Sequence, residues 1–399
     1  MVYGNDIPGK NLAPLKPSIN LAQSDDNQVV YTVRQLILDA VRCGVSDIHI
    51  EPRQYALQIR QRLDGFLCPT KSLPLTLAPQ LISRIKIMAQ LDIAERRLPQ
   101  DGRINLAEET GLVDLRVSTV PTLWGEKAVL RILNRPHSRL AVDALGMAPQ
   151  QQRQFLTALH RPHGLILVTG PTGSGKTLTL YSGLEELNDE QRNISTVEDP
   201  IEIHLDGINQ IAVNEKIGLD FSRVLRALVR QDPDVIMVGE IRDLETASAA
   251  IRAAQTGHLV LSTLHSRCAK TALTRLQHMG IELFDLTTTV SLILAQRLAR
   301  RLCDYCKQGI VTKTGKNGPF RANPEGCLNC NSGYQGRIGI FELLPIDERF
   351  GQPLNNGENY TRPATSTHHS PCSNLRDDAL SKVNAGVISL AEADRIAPD

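Results

Sequence analysis

Leu165-Ile-Leu-Val-Thr-Gly-Pro-Thr-Gly-Ser-Gly-Lys-Thr177 reads as a buried strand, a glycine-rich turn and the start of a helix. Gly170, four intervening residues, Gly175, Lys176 and Thr177 fit the spacing G-x-x-x-x-G-K-[ST] in full. The spacing has a physical reason. Gly170, Gly173 and Gly175 let backbone N–H groups close around phosphate oxygens, which a Cβ would obstruct, and Pro171, Thr172 and Ser174 complete the loop. A helix starting near Lys176 points the positive end of its dipole at the same anion. The Lys176 ammonium reaches β- and γ-phosphates, and the Thr177 hydroxyl is placed to ligate Mg²⁺. A glycine-rich βα turn can also arise by chance. The apolar strand, the Lys-Thr pair and the helical continuation together favour a nucleoside triphosphate site.

The chain has 399 residues, too many for one ordinary domain, so two or three are expected. Its 44 basic and 43 acidic residues leave a net charge of +1, which gives no global argument for nucleic-acid or membrane binding. Aromatic residues make up 4%, which argues against a base-stacking surface. No apolar run approaches a membrane span, and Met1-Val-Tyr-Gly-Asn-Asp6 is not a signal peptide, so a cytosolic location is expected. In that reducing compartment the eight cysteines should not form disulfides.

Outward from the loop, residues 1–28 read as a poorly ordered arm. A mixed α+β domain is expected over 29–135. It should hold a helix from Val29 to Cys43, strands at 46–52, 55–62, 112–118 and 127–133, and a helix from Ala78 to Leu91. A linker covers 136–144. From 145 to 345 short apolar strands (165–169, 194–197, 235–238, 259–263) alternate with helices, the signature of a parallel sheet with crossover helices. The helices are expected near 176–187, 221–230, 245–256 and 271–278. Residues 346–399 read as a polar loop followed by a short helix pair, Leu375 to Arg395.

Further constellations carry chemistry. In Asp234-Val-Ile-Met-Val-Gly-Glu-Ile-Arg242 an apolar strand delivers Glu240 to the carboxyl edge of the sheet, where open α/β sheets bind ligands. The usual strand-end Asp is replaced by Gly239, so Glu240 is the candidate for orienting or deprotonating an attacking water. A solvated loop carboxylate is the bland alternative. Thr196-Val-Glu-Asp-Pro-Ile-Glu202 gathers carboxylates at another strand end, where Glu198 or Asp199 could hold Mg²⁺, although acidic loops are usually only solvated. His258 and His265 flank a strand expected beside the phosphate-loop strand. A lone His is more often structural, and His265 is preferred as a phosphate sensor because it lies at the carboxyl end.

Cys303-x-x-Cys306 and Cys327-x-x-Cys330 are twenty residues apart (307–326) and match a closed, structural four-cysteine zinc site within a subdomain at 296–337. Cys43, Cys68, Cys268 and Cys372 need no special reading. Most arginines are solvated surface. Those at 60, 62, 103, 116 and 131, and at 226, 230 and 242, are the cations available to a phosphate site shared between domains or subunits.

Taken together, Gly170–Thr177, Ser195–Glu202, Asp234–Arg242 and Gly257–His265 resemble the secretion ATPases of type II secretion and type IV pilus assembly. So do Ser46–Pro52, Leu91–Arg103 and Asp114–Thr119, and all occur in the family order over about 29–345. The resemblance implies a RecA-like ATPase core behind a smaller PAS-like domain, a zinc-containing assembly branch, and C-terminal helices. It implies ATP, Mg²⁺ and Zn²⁺ as cofactors and a homo-hexameric ring. The ring would be cytoplasmic, peripheral to the inner membrane through platform proteins, and would drive assembly of a pilus or pseudopilus. By position, Glu240 is the catalytic glutamate, and Arg116 and Arg131 match the arginines supplied to the γ-phosphate. Four departures stand out. The family's docking domain is absent or reduced to 1–28, the segment between the cysteine pairs is short, Ser266-Arg267 replaces Thr-Asn, and 347–373 does not match. They leave two alternatives, a catalytically weak regulatory paralogue and a DNA-uptake or conjugation ring ATPase. The charge balance and few aromatics argue against direct DNA contact.

Overall fold

The computed structural model describes residues 26–108, 111–133, 141–311, 317–346 and 374–398. Most of the expected N-terminal arm, most of the linker and the expected loop at 347–373 lie outside the described residues. Two compact units are present, and the main boundary between them falls between residues 138 and 139.

The first unit opens with α1 (Asp26–Arg42), which starts within the stretch expected to be an arm. Its residues Val33, Leu36, Ile37 and Ala40 recur at helical spacing and are all buried. There follow β1 (Asp47–Pro52), β2 (Leu57–Leu63), β3 (Phe66–Leu73), α2 (Ala78–Met88), β4 (Gln100–Glu108), β5 (Gly111–Thr122) and β6 (Gly125–Ile132). The strands form one sheet in the order β3-β2-β1-β6-β5-β4, antiparallel throughout.

Alternation along these strands sorts the two faces. Ile48, Ile50, Ile59, Leu115, Val117 and Leu130 join the core with α1 and α2. Their alternates Asp47, Glu51, Arg60, Arg62, Arg116 and Arg131 lie on the opposite face. Glu51 is only 3% exposed there. It accepts from Arg60 at 2.8 and 2.9 Å and from Arg53 at 3.0 Å, and Lys127 Nζ lies 2.8 Å away. Burial pushes its carboxyl upward, but the bonds from Arg60 and Lys127 outweigh that and hold it at about 2. The edge strand β4 has no visible sequence period, because Ile104 is its only fully buried apolar residue among those described.

The second unit begins with α3 (Pro149–Leu159) and β7 (Gly164–Thr169) and continues through α4 (Lys176–Leu187), β8 (Ile194–Glu198), β9 (Asn209–Ala212), α5 (Phe221–Leu228), β10 (Val235–Val238), α6 (Leu244–Gln255), β11 (Leu259–Leu264), α7 (Ala269–His278) and α8 (Leu283–Thr289). Then come β12 (Val290–Leu302), β13 (Gln308–Val311), β14 (Asn317–Arg321), β15 (Tyr334–Pro345), α9 (Leu375–Asn384) and α10 (Leu390–Ile396). Its main sheet has the order β15-β12-β7-β11-β10-β8-β9. Only the β12–β15 pair is antiparallel. Leu165 and Leu167 enter one core and Ile166 and Val168 the other, so β7 is covered on both faces. This is why it reads as a continuous apolar run.

The four expected strands and helices are present. The sequence reading left out α3, α8, β9, β12 and β15. The zinc subdomain expected over 296–337 within this domain begins inside β12, which continues to Leu302. The C-terminal pair α9–α10 packs its Ala379, Val383 and Ala393 against Ala299 of β12 and Ile340 of β15. No described helix is long and apolar enough to cross a membrane.

Candidate functional site

β7 ends at Thr169, the loop follows, and α4 starts at Lys176 with Gly175 as its N-cap in the left-handed region (φ 90°). That conformation is cheap only for glycine. Lys176 Nζ donates to the carbonyls of Gly170 (3.0 Å) and Pro171 (3.1 Å), so the side chain folds back across the loop. Burial pushes its ammonium below the ordinary 10.5. Arg297 adds to that push, and Glu240 opposes it. Thr177 is exposed on the first turn of α4, and Ser174 is buried.

Two strands bring Glu240 and His265 to the edge of the sheet beside this loop. β10 pairs with β11, and β11 with β7, so the carboxyl ends of all three lie side by side. Just past β10, Glu240 pairs with the Arg242 guanidinium, and its Oε2 lies 3.6 Å from His265 Nε2 at the end of β11. Arg242 Nη1 is 3.7 Å from Asp199 Oδ2, just past β8. Burial and the Lys176 charge depress the His265 imidazole below 6.5 against the pull of Glu240. Gly239 stands where a strand-end Asp is usual. A Cβ there would lie 3.3 Å from the Val197 carbonyl and 3.5 Å from the Phe221 ring, so any side chain would need the Val197 carbonyl to give by a few tenths of an ångström.

The other expected residues separate. His258 Nδ1 lies 2.8 Å from the Ala253 carbonyl and 3.2 Å from Thr256 Oγ1, at the far end of β11 where α6 ends. Glu198, which together with Asp199 was a candidate for Mg²⁺, is buried at 3% exposure. One oxygen accepts from Thr196 Oγ1 (2.6 Å) and Gln210 Nε2 (3.1 Å), the other from the Tyr181 hydroxyl of α4. Its carboxylate therefore ties β8 and β9 to the loop's own helix, and Asp199 is the acidic-box residue that faces Arg242. Tyr181, seventeen residues upstream of Glu198, gave no sequence signal of this.

In the first unit, register aligns one transverse row across five strands: Arg62, Asp47, Arg131, Arg116 and Arg103. Asp47 accepts from Arg131 Nε at 2.8 Å and lies 3.8 Å from Arg62 Nε. Burial raises the Asp47 carboxyl, but the Arg131 bond outweighs that and keeps it below 3.8. Arg116 Nη2 is buried with no hydrogen-bond partner among the described residues. Asp47 was not singled out from sequence. Its signal was the period-2 alternation that sets it on the arginine face.

Cys303, Cys306, Cys327 and Cys330 place their sulfurs within 4.8 Å of one another. Cys327 Sγ and Cys330 Sγ are 3.6 Å apart, too far for a disulfide. A tetrahedral zinc with Zn–S near 2.3 Å requires sulfur separations of about 3.8 Å, so the donor set fits that ion. Chelation is expected to raise the rate of proteolytic cleavage within 303–330 by about tenfold or more. Elemental analysis should find about one zinc per chain, lost in Cys303→Ser. A metal-free chain with the same protease resistance would refute the assignment.

The profile of the Type II/IV secretion system protein family matches residues 22–395. The type IV pilus assembly ATPase PilB of Acinetobacter baylyi is 48% identical over 386 residues, 93% of this chain and 67% of that protein. The type II secretion system protein E of Dickeya dadantii is 48% identical over 403 residues, 98% of this chain and 81% of that one. Among solved structures, the ATPase DotB of Legionella pneumophila superposes with a TM-score of 0.69 at 23% identity, covering 92% of this chain and 95% of that one, a likeness of fold. The chain belongs to the type II/IV secretion system protein family.

Proposed function

We propose that the chain hydrolyses ATP at the Lys176 loop and couples that reaction to assembly of a type IV pilus or a type II secretion pseudopilus. One observation carries the reading. Glu240 and the His265 imidazole lie 3.6 Å apart at the carboxyl edge of adjacent strands, beside the intact phosphate loop that carries Lys176. The two curated relatives are named for those two machines, and 48% identity over nearly the whole chain supports the transfer.

In this reading the loop N–H groups and Lys176 bind the phosphates, and the Thr177 hydroxyl holds Mg²⁺. Held there, Mg²⁺ would supply charge neutralisation to the phosphates. Glu240 orients and deprotonates the attacking water, while Arg242 and His265 hold its carboxylate in place. Asp47 aligns Arg131 beside Arg116, so that the first unit offers a preset pair of cations to a γ-phosphate within a homo-hexameric ring. The ring works at the inner membrane through protein partners.

The test is ATP turnover with and without membrane platform proteins, together with complementation of cells lacking their own assembly ATPase. Absence of turnover in every condition would sink the reading. Arg116→Ala is expected to lower kcat by about 10³-fold while ADP affinity stays within about twofold, because its role is confined to the γ-phosphate. Equal loss of both would mean a damaged fold.

A further inference from the structure

The loop is braced from β12, a strand that carries none of the residues assigned to nucleotide. β12 runs parallel to β7 with Ala295 in register with Thr169, so Gln296 stands at the level of Gly170. Gln296 is 2% exposed. Its carbonyl lies directly against Gly170, where a Cβ would come within 2.5 Å of it. Arg297 Nη1 donates to that same carbonyl at 2.9 Å and fixes it. The side chain continues the contact. A Cβ on Gly175 would lie 2.9 Å from Gln296 Nε2, and Gln296 Oε1 accepts from Thr179 Oγ1 at 2.7 Å. Thr179 in turn donates its N–H to the Gly175 carbonyl at 3.1 Å, closing the first turn of α4.

One residue thus touches the first glycine of the loop, the last glycine, and the helix turn that follows. The two glycines have a second reason to be glycine: a methyl group at either would strike Gln296. A planar amide suits the place, because it offers an acceptor to the hydroxyl and a donor towards the loop from one rigid group. In so buried a position its polar atoms need such partners.

We propose that Gln296 is a positioning residue for nucleotide binding, a buried strut that holds Gly170, Gly175 and the first turn of α4 in the arrangement that presents the loop N–H groups to phosphate. The proposal rests on the reading of the Lys176 loop as the nucleotide site. Gln296→Met keeps the volume and removes the hydrogen bond to Thr179 and the amide beside Gly175. Gln296→Glu keeps the acceptor for Thr179 but sets a carboxylate oxygen against Gly175 of the loop. Thr179→Val removes one contact and leaves the glycine contacts.

The experiment measures ADP affinity, KM and kcat for MgATP, and melting temperature for these three variants, with Lys176→Ala as reference. Gln296→Met is expected to weaken ADP binding by about tenfold, Gln296→Glu by more, and Thr179→Val by less, with KM rising in the same order. A purely structural residue would lower the melting temperature and leave ADP affinity within about twofold, and that result in Gln296→Met would overturn the proposal. The reference keeps the two readings apart. If Lys176→Ala loses nucleotide while both Gln296 variants keep it, only the strut fails. If Lys176→Ala binds ADP like the wild type, the nucleotide site itself has been misplaced, and the strut falls with it.

Discussion

Lys176→Ala is expected to abolish measurable ATP turnover, a loss of at least about 10³-fold, while the protein remains folded. The lysine is the loop's own cation, and its Nζ stands 3.0 and 3.1 Å from the Gly170 and Pro171 carbonyls. An ammonium held there in a low-dielectric pocket interacts with phosphate charge far more strongly than it would in water. Its removal deletes two charge-assisted hydrogen bonds to loop carbonyls, a stability cost of about 2–4 kcal/mol. That leaves the covered sheet and its two cores intact. The measurement is a coupled assay of ADP release beside a thermal melt. Turnover at the wild-type rate would refute the assignment of the loop.

Glu240→Gln is expected to lower kcat by about 10²–10⁴-fold with ATP affinity kept or increased. The amide has the size of the carboxylate but cannot take a proton from water. Glu240 is also the negative charge that raises the Lys176 ammonium, so neutralising it removes repulsion towards a polyphosphate. The signature is therefore a split, with KM unchanged or lower and kcat collapsed. A variant that turns over at near the wild-type rate would move the activation of water to another group. Asp199, across Arg242 at 3.7 Å, would be the next to test.

The strands that carry this site were legible because they are buried on both faces. β7, β8, β10 and β11 are short and buried at every position, β7 and β10 are almost wholly apolar, and no helical spacing competes with them. β12 was not legible. It mixes buried aliphatics with Gln296, Arg297, Arg300 and Arg301, and only pairing with β7 and β15 makes it a strand. The edge strand β4 was hidden for a related reason, since Ile104 is the only buried residue among those described in it and its identity comes from β5.

The same division runs through the site. Local spacing was enough to single out the Lys176 loop and the two cysteine pairs as candidates, because phosphate binding and metal ligation each demand particular residues at fixed short intervals. The sequence by itself determined that a nucleotide loop opens a parallel-sheet domain, that Glu240 and His265 close two of its strands, and that four cysteines form one donor set. Tertiary structure alone decided the rest. It set Glu240 against His265 and Arg242, drew Glu198 into a bond with Tyr181, aligned Asp47 with the arginine row, and placed Gln296 under the loop. Each of these depends on which strands become neighbours and in what register, a choice made by burial over the whole chain that leaves no mark in any short window of residues.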